Sequence, residues 1–165
     1  MKIKGILLFL VLFGVTGYFR ERFFEHMNII LASVYRGTNE YAIIGKTAPA
    51  IMSPFLNWSY PALYYSKYPF TFLWVLVFYA LSYFAIRKLA PVKNILKILT
   101  ISYLLLLILA GISMGIGYLV NGTLKNDEYT FSRWLLGIAQ SPIICLILLA
   151  AVNLYNKSFQ SPSNN

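Results

Sequence analysis

The densest group of side chains able to do chemistry is Phe19-Arg20-Glu21-Arg22-Phe23-Phe24-Glu25-His26-Met27-Asn28, at the end of an uncharged stretch from Gly5 to Phe19. On a helix, Arg22 stands beside Glu25 and His26 at spacings of three and four. Two readings are open. Either the cluster is an internally paired helix end whose long side chains snorkel and set membrane depth, or Arg20, Glu21 and Arg22 point into a helix bundle and bind a partner or an anionic group, because charge at a membrane edge is costly and often functional. His26 is the only histidine, so no two-histidine metal site is available, and zinc would need Glu25 plus distant acids. The single cysteine, Cys145, lies about half way along an apolar run. His26 falls outside the apolar runs by at least a turn, and a Cys–His nucleophile pair needs both groups at one depth. No metal, cofactor or catalytic residue is expected.

A second polar constellation opens the last apolar run: Asp127-Glu128-Tyr129-Thr130-Phe131-Ser132-Arg133-Trp134, then Gly137, Gln140, Ser141 and Pro142. Ser132 or Thr130 can cap a helix here, with Asp127 and Glu128 just ahead of its positive end. Arg133, Gly137 and Gln140 or Ser141 share a face, which is expected to turn inward. Gln140 beside a proline then serves either as interhelical glue or as part of a polar pocket opening outward. Gly111, Ser113, Gly115 and Gly117 form small-residue patterns that let a second backbone approach, read as packing inside the bundle in preference to a partner protein. Asn57-Trp58-Ser59 and Asn121-Gly122-Thr123 match the glycosylation acceptor pattern, which carries meaning only in a eukaryotic chain.

The elements that must position these groups follow from composition. Of 165 residues, 59% are hydrophobic and 12% charged, and the mean hydropathy is +0.66. That is more apolar surface than a soluble domain of this size can hide. With 13 Tyr, 12 Phe and 3 Trp, the chain is not a disordered tail, a collagen-like chain or a disulfide-stapled module. Its net charge of +9 is scattered so that it brackets the apolar runs, the pattern of topology signals and headgroup anchors, and no nucleic-acid partner is expected. A spanning helix needs about 20 apolar residues. The expected fold is therefore an all-α membrane protein, a single integral domain over 1–165, with a four-helix bundle spanning at about 5–24, 68–86, 98–120 and 133–156. The first run also has features of a secretory signal peptide, but no clean cleavage site follows it, and a retained span is preferred.

Lys2, Lys4, Arg87, Lys88, Lys93, Lys97 and Lys157 fall on one side with no acid, which places both termini in the cytoplasm by the positive-inside rule. The opposite side carries Arg20, Arg22, Arg36, Lys46, Lys67, Lys125 and Arg133, but over a much longer length and mixed with all five acids. The segment from Arg20 to Lys67, with its outer loop at about 25–67, holds Phe23, Phe24, Ile29, Ile30, Ile43, Ile44, Ile51 and Met52 and must lie on something apolar. Pro49, Pro54 and Pro61 forbid one straight helix there, so the first helix should run on past the membrane and be followed by short or irregular pieces at the interface. Asn57-Trp58-Ser59-Tyr60-Pro61-Ala62-Leu63-Tyr64-Tyr65 suits the headgroup zone or the cap of an outer cavity. A short polar tail closes the chain from 157 to 165.

The order of these features resembles the small exosortase-associated membrane proteins: a first span ending in Arg-Glu-Arg-Phe-Phe-Glu, an aromatic outer loop, a basic inner turn, and Ser132-Arg133-Trp134-Leu135-Leu136-Gly137-x-x-Gln140-Ser141-Pro142 entering the last span. The resemblance implies a bacterial inner-membrane accessory subunit, working beside an exosortase-type transpeptidase that processes C-terminal sorting signals. Such a transpeptidase site needs Cys, Arg and His in that order, whereas here the only histidine precedes the only cysteine. By the resemblance, Arg20, Glu21, Arg22, Glu25, His26, Arg133, Gln140 and Ser141 are contact candidates, not catalytic residues. The rival is a small enzyme or lipid-binding protein that holds an anionic lipid or isoprenoid-linked substrate in an outward cavity. A transporter ranks third, since no acid lies within the uncharged runs of the expected spans.

Overall fold

A computed structural model describes residues 3–90, 93–121 and 130–160. Among them the chain is all-helical: α1 (Ile3–Arg36), α2 (Glu40–Ile43), a 3-10 helix (Ala50–Phe55), α3 (Tyr60–Leu89), α4 (Lys93–Asn121), α5 (Thr130–Ala139) and α6 (Ile143–Gln160). The chain divides into two compact units, one formed by Val15–Trp74 and the other by Met1–Gly14 with Val75–Asn165.

In the Val15–Trp74 unit, α1 continues unbroken through the charged turn to Arg36. Two glycines then reverse the chain. Gly37, at φ 65°, ends α1, and the Thr38 amide donates to the Ser33 carbonyl at 3.2 Å. Gly45, at φ 63°, ends α2 in the same way, its own amide reaching Ala42 at 3.2 Å and that of Lys46 reaching Tyr41 at 2.9 Å. Both are left-handed helix stops in which the amides beyond the glycine satisfy the last carbonyls. Asn39 caps α2, its side-chain oxygen accepting from the Ala42 amide at 3.3 Å. The turns lay the chain back over α1 to build a core of Met27, Ile30, Tyr41, Met52 and Leu63, with Phe23, Phe55 and Phe70 packed against it. The segment expected to lie on an apolar surface thus supplies part of that surface itself, although Ile43, Ile44 and Ile51 stay exposed.

Pro61 occupies the first turn of α3, where its missing amide costs nothing, and the Ser59 carbonyl accepts from the Leu63 amide at 3.0 Å. The helix therefore begins at Tyr60 and not at 68 as the apolar run implies. In the second unit, Gly5, Phe9 and Phe13 fall at steps of four on α1. Phe13 stacks on Phe78 at 6.1 Å, and a Cβ on Gly5 would come within 3.0 Å of Leu89 Cδ2. These segments of α1 and α3 therefore run antiparallel. Tyr79 with Thr100 at 3.0 Å and Ser82 with Tyr103 at 3.2 Å tie α3 to α4 through hydroxyl pairs, partners that polar groups need away from water. Cys145 is buried and approaches the Ser82 carbonyl at 4.0 Å. α5 packs against α4, and α6 touches both.

Two helices, Tyr60–Leu89 and Asn94–Val120, are long and apolar enough to cross a membrane, and a third crossing results if α5 and α6 count as one bent span. These helices indicate membrane association. The expected fourth span at 133–156 is not one helix: it breaks at Gln140–Pro142, and the halves diverge by 56°. Pro142 has no amide to continue the ladder, and the Ser141 hydroxyl instead donates to the Ile138 carbonyl at 2.7 Å. α1 is not among the spanning candidates. Its uncharged stretch 5–19 is about 22 Å long at about 1.5 Å per residue, so a crossing of the roughly 30 Å hydrocarbon core there needs the flanking Lys4 and Arg20 to snorkel from its ends.

Replacing Met52, which is 2% exposed, by alanine should destabilise the Val15–Trp74 unit by about 2–5 kcal/mol. Limited proteolysis in detergent should then cut within 37–59 faster than in the parent. Unchanged cleavage would mean that this core does not hold the segment.

Candidate functional site

The two expected contact surfaces lie in different units. In the first, Glu25 is the hub: Arg22 Nη1 donates to its Oε2 at 2.9 Å and Lys46 Nζ to its Oε1 at 2.9 Å. Arg22 also reaches Tyr18 Oη through Nε at 3.3 Å and lies 5.4 Å from the Tyr18 ring centroid. One residue on, His26 Nδ1 is 3.0 Å from Tyr41 Oη, with the rings stacked at 5.8 Å. Lys67 Nζ donates to Asn28 Oδ1 at 2.6 Å. Arg20 is partly buried with its guanidinium 5.7 Å from the Phe24 ring, while Glu21 is exposed. The charged turn of α1 is therefore cross-linked to the returning chain through Lys46, Tyr41 and Lys67. The contacts of Arg22 with Glu25 and Tyr18, and of Arg20 with Phe24, are legible from local spacing, whereas those of Lys46, Tyr41 and Lys67 are not.

The Glu25 carboxyl lies below the ordinary value of 4.5 because Lys46, and then Arg22, hydrogen-bond its ionised form. Burial, with the neighbouring Glu25 charge, raises the Tyr41 phenol above its ordinary value. Among the described residues no group of three metal-ligating side chains forms.

The same unit holds an aromatic feature that the sequence reading caught only in part. Tyr35 of α1 meets Tyr60 at 5.5 Å, Tyr60 stacks on Tyr64 at 6.1 Å, Tyr64 meets Tyr65 at 5.5 Å, and Tyr65 meets Tyr68 at 6.5 Å. The result is a continuous ribbon of tyrosine rings, with Tyr35 and Tyr65 the most open at 73% and 59% exposed. Steps of four from Tyr60 to Tyr64 to Tyr68 signal part of it. Tyr35 joins only through the fold. A second cluster joins Phe23, Phe55, Phe70 and Trp58, with Phe23 and Phe70 at 4.8 Å and Phe55 and Trp58 at 5.0 Å.

In the other unit, Gln140 is buried at the α5–α6 break and Ser141 is partly buried, so this end of the expected face does turn inward. Arg133 does not. The stripe of α5 that packs is Ser132, Leu135 and Ala139, all buried, and Arg133 lies exposed beside it. Ser132 is buried within α5 and does not cap it. Among the described residues nothing lies within 4 Å of where a Cβ on Gly111 or Gly115 would stand, so neither glycine marks a close backbone approach there. The side chains of Thr130 and Asn121, the residues Gly122, Thr123, Asp127 and Glu128, and with them most of the acceptor pattern at 121–123, lie outside the described residues, as do Lys2, Lys125, the Lys157 side chain and 161–165. Asn57 and Ser59 of the other acceptor pattern are exposed.

No family model, curated protein or solved structure matches the chain.

The lowered Glu25 value fixes the sign of a pH effect. Folding favours the ionised carboxylate, so its contribution is fully present above the ordinary carboxylate range and disappears as pH falls through the lowered value. Protease resistance of the 37–59 segment should therefore drop as pH is taken below 4.5. In Glu25→Gln that part of the acid dependence should vanish and resistance at neutral pH should already be reduced. Superimposable profiles for the two proteins would refute the link.

Proposed function

We propose that this chain is a non-enzymatic accessory subunit of a membrane protein complex, and that the Val15–Trp74 unit is the surface by which it engages an integral membrane partner. The observation that carries the reading is the tyrosine ribbon. Tyr35, Tyr60 and Tyr65 remain exposed although the unit has its own core and its own ion pairs. Exposed contiguous aromatic surface on an ordered framework is characteristic of interaction sites, and tyrosine supplies large contact area with little rotamer entropy to lose. The partner's class comes from the resemblance to exosortase-associated proteins in Arg20–Glu25 and Ser132–Pro142, which makes it an exosortase-type sorting transpeptidase. In this reading the apolar stretch of α1, then α3, α4 and the bent α5–α6 pair form four spans in a bacterial inner membrane, within one integral domain. Both termini are cytoplasmic and the tyrosine ribbon is on the outer side.

Mild-detergent affinity purification after in-cell crosslinking tests the proposal. A polytopic cysteine transpeptidase should be recovered in near-equal amount with the parent chain. It should be lost, by about tenfold or more for a central aromatic contact, from Tyr35→Ala/Tyr65→Ala, and reduced from Arg22→Ala or Arg133→Ala, with thermal stability retained in Tyr35→Ala/Tyr65→Ala. Recovery of the protein alone, with an anionic or isoprenoid-linked lipid that Arg20, Arg22 or Arg133 substitutions displace, would replace the accessory reading by the lipid-binding one.

A further inference from the structure

At the end of the second unit where α1 begins and α3 finishes, the two helices leave an open cleft of about 480 Å³ lined by Phe9, Phe84, Arg87 and Lys88. Its construction follows from spacing. Phe84, Arg87 and Lys88 fall at steps of three and four along α3 and therefore share one face. Phe9 comes from the α1 face that is fixed against α3 above by Phe13 on Phe78 and below by Gly5 on Leu89. Phe9 is buried and forms the floor. Phe84 is 58% exposed and forms a wall, while Arg87 and Lys88 are exposed at the mouth. Close approach at Gly5 also brings exposed Lys4 to this end of the helix pair.

Charge decides what fits. Among the described residues of this unit there is no carboxylate, and the lining of the cleft is basic and aromatic. The lining runs from apolar rings to two cations within about one helical turn, or roughly 5 Å along α3. That order matches a lipid entered from its acyl chain to its phosphodiester, with the charged end at the depth where Lys and Arg meet headgroups.

We infer that the cleft formed by Phe9, Phe84, Arg87 and Lys88 seats one anionic phospholipid. An acyl chain lies on the two phenyl rings, and the phosphodiester is held by Arg87 and Lys88. Arginine supplies a planar fork that takes two phosphate oxygens, and lysine adds a movable point charge. The inference rests on the spanning of the membrane by α3 and is independent of the accessory role.

Native mass spectrometry of the purified full chain, titrated with dioleoyl phosphatidylglycerol or with dioleoyl phosphatidylcholine, reads the site. One phosphatidylglycerol should be retained per chain in preference to phosphatidylcholine. Arg87→Gln and Lys88→Gln should each weaken retention about fivefold, and the pair about thirtyfold, from the contribution of a basic residue at an anionic surface. Phe84→Ala should weaken it with all charges kept. Lys97→Gln, which removes equal charge from a residue outside the lining of the cleft, should change retention by less than about twofold if the site and not the basic end as a whole holds the lipid. Equal loss in Lys97→Gln and Lys88→Gln would show a diffuse basic end and overturn the site, as would equal retention of both lipids or no effect of Arg87→Gln/Lys88→Gln. Alkaline carbonate extraction of the same proteins separates the two levels of failure. Release from the membrane refutes the spanning reading and the site together, whereas retention without lipid selectivity refutes the site alone.

Discussion

Phe23, Met27 and Ile30 occur at steps of four and three on α1, and the whole of the Val15–Trp74 core is assembled on that stripe. The stripe exists only if α1 stays helical through Arg20–Glu25, where four charged side chains crowd into two turns. Arg22 and Glu25 relieve that crowding by pairing along the helix, and Lys46 supplies a further cation to Glu25 from across the fold. Exposed ion pairs contribute little each. Their role here is positional, since the Lys46 contact registers the returning chain so that Tyr41 lands on His26 and Met52 on the core.

Polar groups are handled differently in the second unit. Where α3, α4 and α6 pack, the hydrophilic atoms are hydroxyls and a thiol, and they are matched locally: Tyr79 to Thr100, Ser82 to Tyr103, Cys145 to the Ser82 carbonyl. Away from water an unmatched hydroxyl is costly, while a matched one fixes the rotation of one helix against its neighbour. Charge is kept to helix ends, as at Arg87 and Lys88.

Apolar run lengths and prolines made the long helices legible, as did the continuation of α1 past its charged turn and the short pieces that follow it. The Glu25–Lys46 pair was not, because its partners stand far apart in the chain and no local spacing connects them. Nor was the exposure of Arg133. A heptad-like face through Arg133, Gly137 and Gln140 assumes one continuous helix, and once Pro142 interrupts it, packing selects the Ser132, Leu135 and Ala139 stripe instead. Proline is often tolerated in spanning helices when neighbours satisfy the freed carbonyls, so its presence alone did not distinguish a kink from a break.

The division of the chain carries a consequence for the order of folding. Val15–Trp74 is contiguous, and its two left-handed glycine stops bend the backbone without help from distant residues. It can close as soon as the chain has been synthesised through Trp74. The other unit joins residues before Gly14 to residues after Val75, so it must wait, with Phe9 and Phe13 unmatched, until α3 emerges. Closing the inserted segment first lowers the entropy cost of then pairing Phe13 with Phe78, because less free chain separates them than about sixty disordered residues would. Sequence order thus lets the smaller unit close before the larger one can.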